Sequence, residues 1–311
     1  MLSKFWESIG SSLAERWLDY IFGPAFLFWG GGLAIYVLKT GWQVLLNDVQ
    51  ALTALQQGGI IVIALFILIA SSLLIQSLHF PILRILEGYW IWPFVYVGSW
   101  LISIQKVVYK KKYARLNHLL KKKEELGELD SSELRESADL EIWIHWIPAQ
   151  ADELLPAPLG NILRARERAP QQKYGLDPII CWPRMWPLLP EVVRNDLSAA
   201  RASLERLAEF SFWGILFMLW AFLSPGAILV GLIWWWIMYQ VACQAAMAYG
   251  DLLETAFDLH RFLLYNAMGW PRPSSTNEEI SSGEKMSEYL WRGTLSEPVI
   301  YPKKLLDVKK E

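Results

Sequence analysis

The side chains best suited to chemistry lie on one face of a predicted helix near the end of the chain. Four charged residues follow one another at intervals of three and four: Asp251, Glu254, Asp258 and Arg261. A helix carries residues with this spacing on a single face. Such carboxylates either form ion pairs with a neighbouring helix or, repeated around an oligomer, concentrate cations at the mouth of a pore. The spacing is compatible with both interpretations.

The cations expected to pair with these acids stand upstream, across a predicted helical hairpin. Residues 210–250 carry no formal charge, and Pro225-Gly226 near their middle is a turn signal. If the chain reverses there, residues whose numbers sum to about 451 face each other. This register predicts a cytoplasmic stalk held by the following pairs: Arg201 with Asp251, and Arg194 with Glu254 and Asp258.

Two further groups of cations are candidates for contact with an anion or with lipid. The first is a lysine run on an amphipathic helix, followed by an acidic helix that Asp130 and Glu133 open as a capping box. These two helices are expected to form a hairpin whose arms attract each other. The second group belongs to one short helix that begins at Pro158. Nearby acidic residues or the lipid surface are expected to neutralise the positive charge of this group. The candidates are Lys110, Lys111, Lys112, Lys121, Lys122 and Lys123 in the first group, and Arg164 and Arg168 in the second. Arg166 and Lys173 complete the second cationic cluster.

Motifs for catalysis or for metal and nucleotide binding do not stand out. The four histidines are scattered singly, and no HExxH pattern, phosphate-binding loop or G-x-S-x-G elbow occurs. Gly30, Gly31 and Gly32 fall within an apolar stretch, where glycines allow close helix approach. Cys181 and Cys243 are too few for a disulfide framework or a zinc site. We therefore expect no metal and no cofactor.

The composition places these residues in a membrane protein. The 311 residues include 29 Lys+Arg and 31 Asp+Glu, and this balance excludes the strongly basic profile of a nucleic-acid binder. Hydrophobic residues make up 54% of the chain, the mean hydropathy is +0.24, and 18 residues are Trp. Charged residues reach only 19%, against about 25% in soluble globular proteins. Part of the chain must therefore be solvated by something other than water.

Uncharged runs locate the predicted spans at residues 20–38, within 49–83, and in the two halves of 210–250. A helix crosses the hydrocarbon core with roughly 20 residues. The fold class predicted is all-α, a multi-pass membrane protein with two transmembrane hairpins, 21–83 and 209–250, and helical cytoplasmic extensions.

A further uncharged run, within segment 84–105, is rich in Trp and Tyr and contains Pro93. It is either an interfacial aromatic helix or a fifth span. In the four-span interpretation Lys39 alone of the Lys and Arg residues lies outside, so both termini are cytoplasmic by the positive-inside rule. In the five-span interpretation the residues outside are Lys4, Arg16 and Arg84, and the amino terminus moves outside.

The remaining segments are assigned by their patterns. Residues 1–20 are predicted to be a cytoplasmic amphipathic segment, and 106–208 a cytoplasmic helical region that includes a Pro/Trp-rich part, 148–190. Pro190 is expected to open a helix of about 34 residues that runs from cytoplasm into lipid. Residues 251–311 are predicted to form a cytoplasmic helix and a flexible tail, because residues after Pro271 are polar and rich in Ser.

The function expected from these features is that of an oligomeric, channel-like assembly. The interior of each predicted span lacks ionisable side chains, which disfavours an ion pump. Trp234-Trp235-Trp236 lies at bilayer depth and favours contact with another subunit. The alternatives are a membrane-anchored scaffold that recruits a cytoplasmic protein and, less favoured, an enzyme acting on lipid head groups. Expected partners are the bilayer, further copies of the chain and a cytoplasmic protein, with no nucleic acid.

Overall fold

The computed structural model describes residues 23–294, and the regular secondary structure within that range is entirely helical. This confirms the predicted all-α class. The predicted segment 1–20 and the chain beyond 294 lie outside the described residues. The α-helices are α1 (Pro24–Thr40), α2 (Trp42–Gln50), α3 (Ala54–Ser77), α4 (His79–Glu87), α5 (Val95–Leu126), α6 (Ser131–His145), α7 (Pro158–Tyr174), α8 (Pro178–Met185), α9 (Glu191–Phe217), α10 (Gly226–Ala267) and α11 (Thr276–Arg292).

Contacts divide the chain into two compact units. Unit 1 comprises residues up to Arg84 and Glu205–Ala242, and unit 2 comprises Ile85–Leu204 and the residues from Cys243 onward. The long helices α9 and α10 contribute to both units. The charged stripe predicted on α10 therefore belongs to unit 2, whereas most of the apolar stretches belong to unit 1.

Two described helices, α3 and α10, are long and apolar enough to cross a membrane. Most aliphatic and aromatic side chains of α3 are exposed, among them Ile61 at 60% and Phe66 at 70%, whereas Leu68 and Ile75 are buried. A core helix of a water-soluble domain would bury such residues against protein. These exposed side chains therefore support the assignment to a membrane, while the four-span topology remains a prediction.

The hairpin of α9 and α10 has the predicted register in unit 1. A Cβ added at Gly214 would lie 2.6 Å from the backbone nitrogen of Trp235, so only glycine allows the helices this approach. Gly231 approaches the opposite arm in the same way. The rings of Phe217 and Trp234 lie 5.7 Å apart between centroids. Trp234 thus packs within the chain.

Two of the three predicted glycines of α1, Gly31 and Gly32, serve close packing, whereas a Cβ on Gly30 would meet nothing within 4 Å. The ring of Phe217 lies against Gly31 and that of Trp220 against Gly32, so any Cβ there would overlap an aromatic ring. The indole nitrogen of Trp220 donates to the carbonyl of Phe28 at 3.1 Å.

The aromatic run within 84–105 is not one continuous helix. Residues 88–94 form turns and irregular structure, and α5 begins at Val95. The helical part of the uncharged run, residues 95–105, spans about 16 Å at 1.5 Å per residue, well short of a bilayer core of about 30 Å. This geometry favours the interfacial interpretation over the fifth span.

The basic and acidic helices form the predicted hairpin in unit 2. The αL residue Gly127 ends α5, and the predicted capping box of Asp130 and Glu133 opens α6. Two ion pairs then bridge the arms. Arg115 donates to both carboxylate oxygens of Glu136 at 2.9 and 2.8 Å, and Lys122 lies 2.6 Å from Glu133.

Three elements differ from expectation. Helix α7 has 17 residues and continues through Pro170, so the prediction of one short helix is wrong. Helix α9 ends at Phe217 and is followed by a 3-10 helix, Met218–Phe222, which shortens the predicted 34-residue helix. Residues 276–292 form helix α11 with Met286 fully buried, so the predicted flexible tail is wrong for this segment.

Candidate functional site

The acidic stripe lies on the unit 2 part of α10 and faces α7. Helix α10 runs without interruption from Gly226 to Ala267, so the predicted spacing produces the predicted face. Gly250 precedes the stripe, and a Cβ there would lie 2.5 Å from Cγ of Arg166. Glycine at this position lets the arginine stem cross close to the α10 backbone.

Arg166 is the centre of the cluster. The residue is 2% exposed, yet its guanidinium carries a full charge. One terminal nitrogen donates to Glu254, and the other lies 3.4 Å from the carboxylate of Asp251. The guanidinium carbon also lies 4.1 Å from the ring centroid of Trp146, a cation–π contact. Buried charge of this kind is tolerated because carboxylates and an aromatic face surround it.

A second cation from α7, Lys173, pairs with the carboxylates that lie one and two helical turns beyond Asp251 on α10. Lys173 contacts Glu254 and lies 3.5 Å from the carboxylate of Asp258. Partial burial alone would lower the pKa of Lys173, but these two carboxylates outweigh desolvation and raise it. The hydroxyl of Tyr174 donates to Asp258 at 2.6 Å. Burial, and then this hydrogen bond, raise the pKa of Tyr174 to about 12.

Arg261, the last residue of the stripe, connects α10 to α11. Its Nε lies 2.6 Å from the carboxylate of Glu279, and both side chains are largely buried. The guanidinium also stacks over the rings of Tyr174 and Phe262, at 4.2 and 4.5 Å from the centroids. The stripe therefore ends in a buried pair that helps hold α11 in place.

Helix α11 docks on the end of α7 through two glycines. Gly175, at φ +70°, ends α7, and a Cβ on it would overlap the carbonyl of Ile280. A Cβ on Gly283 would overlap the carbonyl of Tyr174. Ser287 accepts a hydrogen bond from the backbone nitrogen of Asp177 at 2.9 Å. The two backbones touch directly, which side-chain periodicity does not reveal.

The predicted stalk residues are only partly brought together. Asp251, Glu254, Asp258 and Arg261 form the stripe, but Arg166 and Lys173 replace Arg194 as the partners of Glu254. Nε of Arg194 is buried without a hydrogen-bond partner among the described residues. Arg201 lies over the ring of Tyr249 at 5.6 Å, beside Trp182 and Trp186, and its pairing with Asp251 stays a prediction.

A signal for the true partners was present in the sequence. Arg166 and Lys173 are seven residues apart, and so are Asp251 and Asp258. Seven residues make about two helical turns, so two helices packed side by side can align both charges of one with both of the other. Contact between α7 and α10, which lie far apart in the chain, could not be inferred from spacing alone.

Some of the residues predicted to contact an anion or lipid are engaged by other protein groups, and the others are exposed. Lys112 lies over the ring of Trp143 at 4.2 Å and Lys122 pairs with Glu133, so both face α6. Arg164 donates to the backbone carbonyl of Glu153 at 2.7 Å. Arg168 lies 3.6 Å from the Glu153 carboxylate. The exposed members of the group are Lys110, Lys111, Lys121 and Lys123.

One group of side chains has the composition of a metal site. Ligand atoms of His145, Asp251 and Glu254 lie within 4.8 Å of one another. Arg166, however, forms ion pairs with both carboxylates and supplies the positive charge that they require. Desolvation and the nearby Arg166 lower the pKa of His145. A divalent ion would have to displace the guanidinium, so this group is an ion-pair cluster built from the chain itself.

Comparison with known proteins adds no relative. No protein-family model, curated protein or solved structure matches this chain.

Proposed function

We propose that this protein is a membrane-anchored interaction protein. In this proposal the hairpins 21–83 and 209–250 hold the chain in the bilayer, and unit 2 is a folded helical module on the cytoplasmic side that recruits a partner. The observation that carries the proposal is the closure of the α10 stripe. Arg166 and Lys173 of α7 neutralise its carboxylates within a single chain.

The same closure argues against a cation-conducting vestibule built from the stripe. A ring of carboxylates concentrates cations only if its charge is not already balanced by fixed cations. Here Glu254 contacts two cations and its side chain is only 11% exposed. Trp234, one of the residues that favoured a subunit contact, packs against Phe217 of its own chain, which weakens that argument, while Trp236 is 59% exposed. Both observations favour the scaffold over the channel.

The exposed apolar surface of unit 1 supports the anchoring role. Helices α3 and α10 have the length and composition of spans, while α1 has 17 residues and covers about 25 Å. A shorter apolar helix fits where lipid thins around it or where flanking residues extend to the interface. Four spans place Lys39 on the outer side and the α5 lysines on the inner side.

Cysteine accessibility tests this topology. The native Cys181 and Cys243 are buried, and burial raises the pKa of the Cys181 thiol to about 11, so both react slowly. Lys39→Cys and Lys110→Cys introduce exposed thiols. A membrane-impermeant maleimide should label Lys39→Cys in intact cells and Lys110→Cys only after permeabilisation. Labelling of both variants from the same side, or release of the protein from membranes by alkaline carbonate, would refute the anchoring topology.

Oligomeric state and ion flux separate the scaffold from the channel. The full chain purified in mild detergent should be a monomer or a closed dimer by light scattering. Reconstituted into liposomes, it should give no more cation flux than empty vesicles. A symmetric higher oligomer that conducts ions, with conductance reduced by Asp251→Asn, would overturn the scaffold and restore the channel.

A further inference from the structure

Unit 2 contains a largely apolar cavity that the ion-pair cluster does not use. Its volume is about 560 Å³, within the range of roughly 300–1,000 Å³ that is typical of ligand pockets. Helices α5, α6, α7 and α10 enclose it. Its walls include Val108, Ile142, Trp143, Ile162 and Met247.

Three polar side chains in the cavity wall are already paired with the protein: Gln105, Tyr109 and Asn161. Asn161 accepts from the backbone nitrogen of Leu155 at 2.7 Å and donates to Gln105 at 2.9 Å. Gln105 in turn donates to the carbonyl of Pro156 at 2.7 Å, and the hydroxyl of Tyr109 donates to a backbone carbonyl at 2.6 Å. These groups need no hydrogen bond from an occupant. The cavity therefore suits a hydrocarbon better than a polar ligand.

The mouth of the cavity leaves aliphatic side chains in contact with solvent. Ile142 is 60% exposed, and Ile104 and Val108 are more than 40% exposed. These residues come from two helices and face a common opening. Covering contiguous apolar surface of this kind is favourable, in proportion to the area removed from water.

Charge at the rim favours an anionic head group. Lys111 and Lys112 follow Val108 by three and four residues, which places them on its side of α5. Lys112 lies over the ring of Trp143 and has no carboxylate partner among residues 23–294. The residues that line the cavity include one exposed carboxylate, Asp139, and neither lysine. The two lysines one turn beyond Val108 outnumber this carboxylate.

The cavity mouth coincides with a change in the preference of α5 for lipid and water. Exposed apolar side chains are most frequent on α5 as far as Val107 and Val108, and exposed lysines begin at Lys110. Beyond that point the exposed apolar residues are fewer and lie among charged ones: Tyr113, Leu120 and Leu126. A helix with this pattern passes from the interfacial layer into water. An acyl chain could therefore enter the cavity while its head group stays at the level of the lysines.

We propose that this cavity holds one acyl chain of an anionic phospholipid, with Lys111 and Lys112 contacting the head group. The inference rests on the membrane location in the proposed function. It adds to that function a lipid dependence, because the ligand joins α5 and α6 to α7 and α10.

Photolabelling in vesicles tests the site. The full chain is reconstituted in phosphatidylcholine vesicles containing a trace of phosphatidylglycerol with a diazirine on one acyl chain, and labelled peptides are identified by mass spectrometry. We expect label on residues around Val108 and Ile142, at least fivefold more than with a diazirine phosphatidylcholine probe. Equal labelling by both probes, or label confined to α3, would overturn the proposal.

Two variants with matched controls test the two halves of the site. Ile142→Trp fills the cavity mouth and should lower labelling there at least fivefold, whereas Ile179→Trp, at an exposed position of α8, should leave it unchanged. Lys112→Gln should lower labelling about fivefold, the effect of losing one lysine near an anionic head group. Lys123→Gln, on the same helix away from the cavity, is its control. Unchanged labelling in either test variant contradicts the assignment.

A photo-crosslinking amino acid at residue 142 identifies the occupant in cells. Crosslinks to phospholipid support the inference, and crosslinks to another protein or to a second copy refute it. The maleimide topology experiment shows whether a negative result refutes only the lipid site or also the membrane-anchoring proposal. If the maleimide labelling gives the expected topology but the cavity is not labelled, the lipid site is wrong and the anchoring proposal stands.

Discussion

Removing the charge of Arg166 should destabilise unit 2 more than any surface substitution on the same helix. Arg166→Met keeps the length of the stem and deletes the guanidinium. Glu254, with a side chain 11% exposed, then keeps Lys173 as its cation. Breaking a buried ion pair costs about 3–5 kcal/mol, and the lost cation–π contact with Trp146 costs about 1 kcal/mol. Because Lys173 compensates in part, we expect about 3 kcal/mol in total.

A double variant measures the interaction between Arg166 and Glu254 separately from the contribution of each residue alone. Glu254→Leu alone leaves Arg166 buried with only Asp251 at 3.4 Å, and should cost about as much as Arg166→Met. Combining the two replaces a buried charge pair by apolar side chains, a change that is often close to neutral. The double variant should therefore cost much less than the sum of the singles. We expect a coupling energy of at least about 2 kcal/mol.

The assay is equilibrium unfolding of the full chain in mild detergent, followed by tryptophan fluorescence as denaturing detergent is added. Arg168→Met is the matched control, because Arg168 lies on the same helix, is 44% exposed and is 3.6 Å from Glu153. An exposed pair of this kind contributes about 0–1 kcal/mol. Equal losses for Arg166→Met and Arg168→Met, or additive effects in the double variant, would refute the central role of Arg166.

Three further predictions concern the elements around the cluster. Gly283→Ala should separate α11 from α7 and lower the free energy of unfolding by about 1–3 kcal/mol. The measurement is amide exchange at fixed pH, which should become faster in 276–292. Ser281→Ala, at an exposed position of the same helix, is the control and should leave exchange unchanged. Tyr174→Phe loses a hydrogen bond to the Asp258 carboxylate and should cost about 1.5 kcal/mol in the same unfolding assay; no change would mean that water replaces it. Hydrogen bonds from Lys122 and Arg115 lower the pKa values of Glu133 and Glu136, so their contribution is complete above the ordinary Glu value of about 4.3 and disappears as pH falls through the lowered values. The protection factors of the α5–α6 amides, which correct for the intrinsic pH dependence of exchange, should fall over that range, and protection that does not change with pH would contradict this.

Local and periodic features of the fold could be predicted from the sequence. The capping box at Asp130 depends on four neighbouring residues, and the register of α9 and α10 depends on one turn and a fixed rise per residue. The stripe on α10 likewise follows from a spacing of three and four. Each of these features is determined within one helix or across one turn, so no knowledge of distant contacts is required.

Features that depend on contacts between distant segments could not be predicted. Pro170 removes a helical hydrogen bond and normally ends a helix, but here it is buried and α7 continues past it. Polar residues after Pro271 are typical of a mobile tail, yet Gly175 and Gly283 let α11 dock on α7 backbone to backbone. The partner of the acidic stripe was missed for the same reason, since Arg166 lies 88 residues from Glu254.

The distribution of unpaired charge gives the strongest reason to look for lipid at α5. The chain is nearly neutral, and in unit 2 the cations that face carboxylates are engaged by them. Within residues 23–294, four exposed lysines of α5 form no ion pair: Lys110, Lys111, Lys121 and Lys123. Each lysine near an anionic membrane contributes about 1 kcal/mol. Because the α10 stripe is closed by α7, the largest group of exposed cations without an ion pair in the described part of unit 2 lies on α5, the helix that borders the apolar cavity. The proposed attraction to an anionic membrane surface would therefore act mainly on this helix.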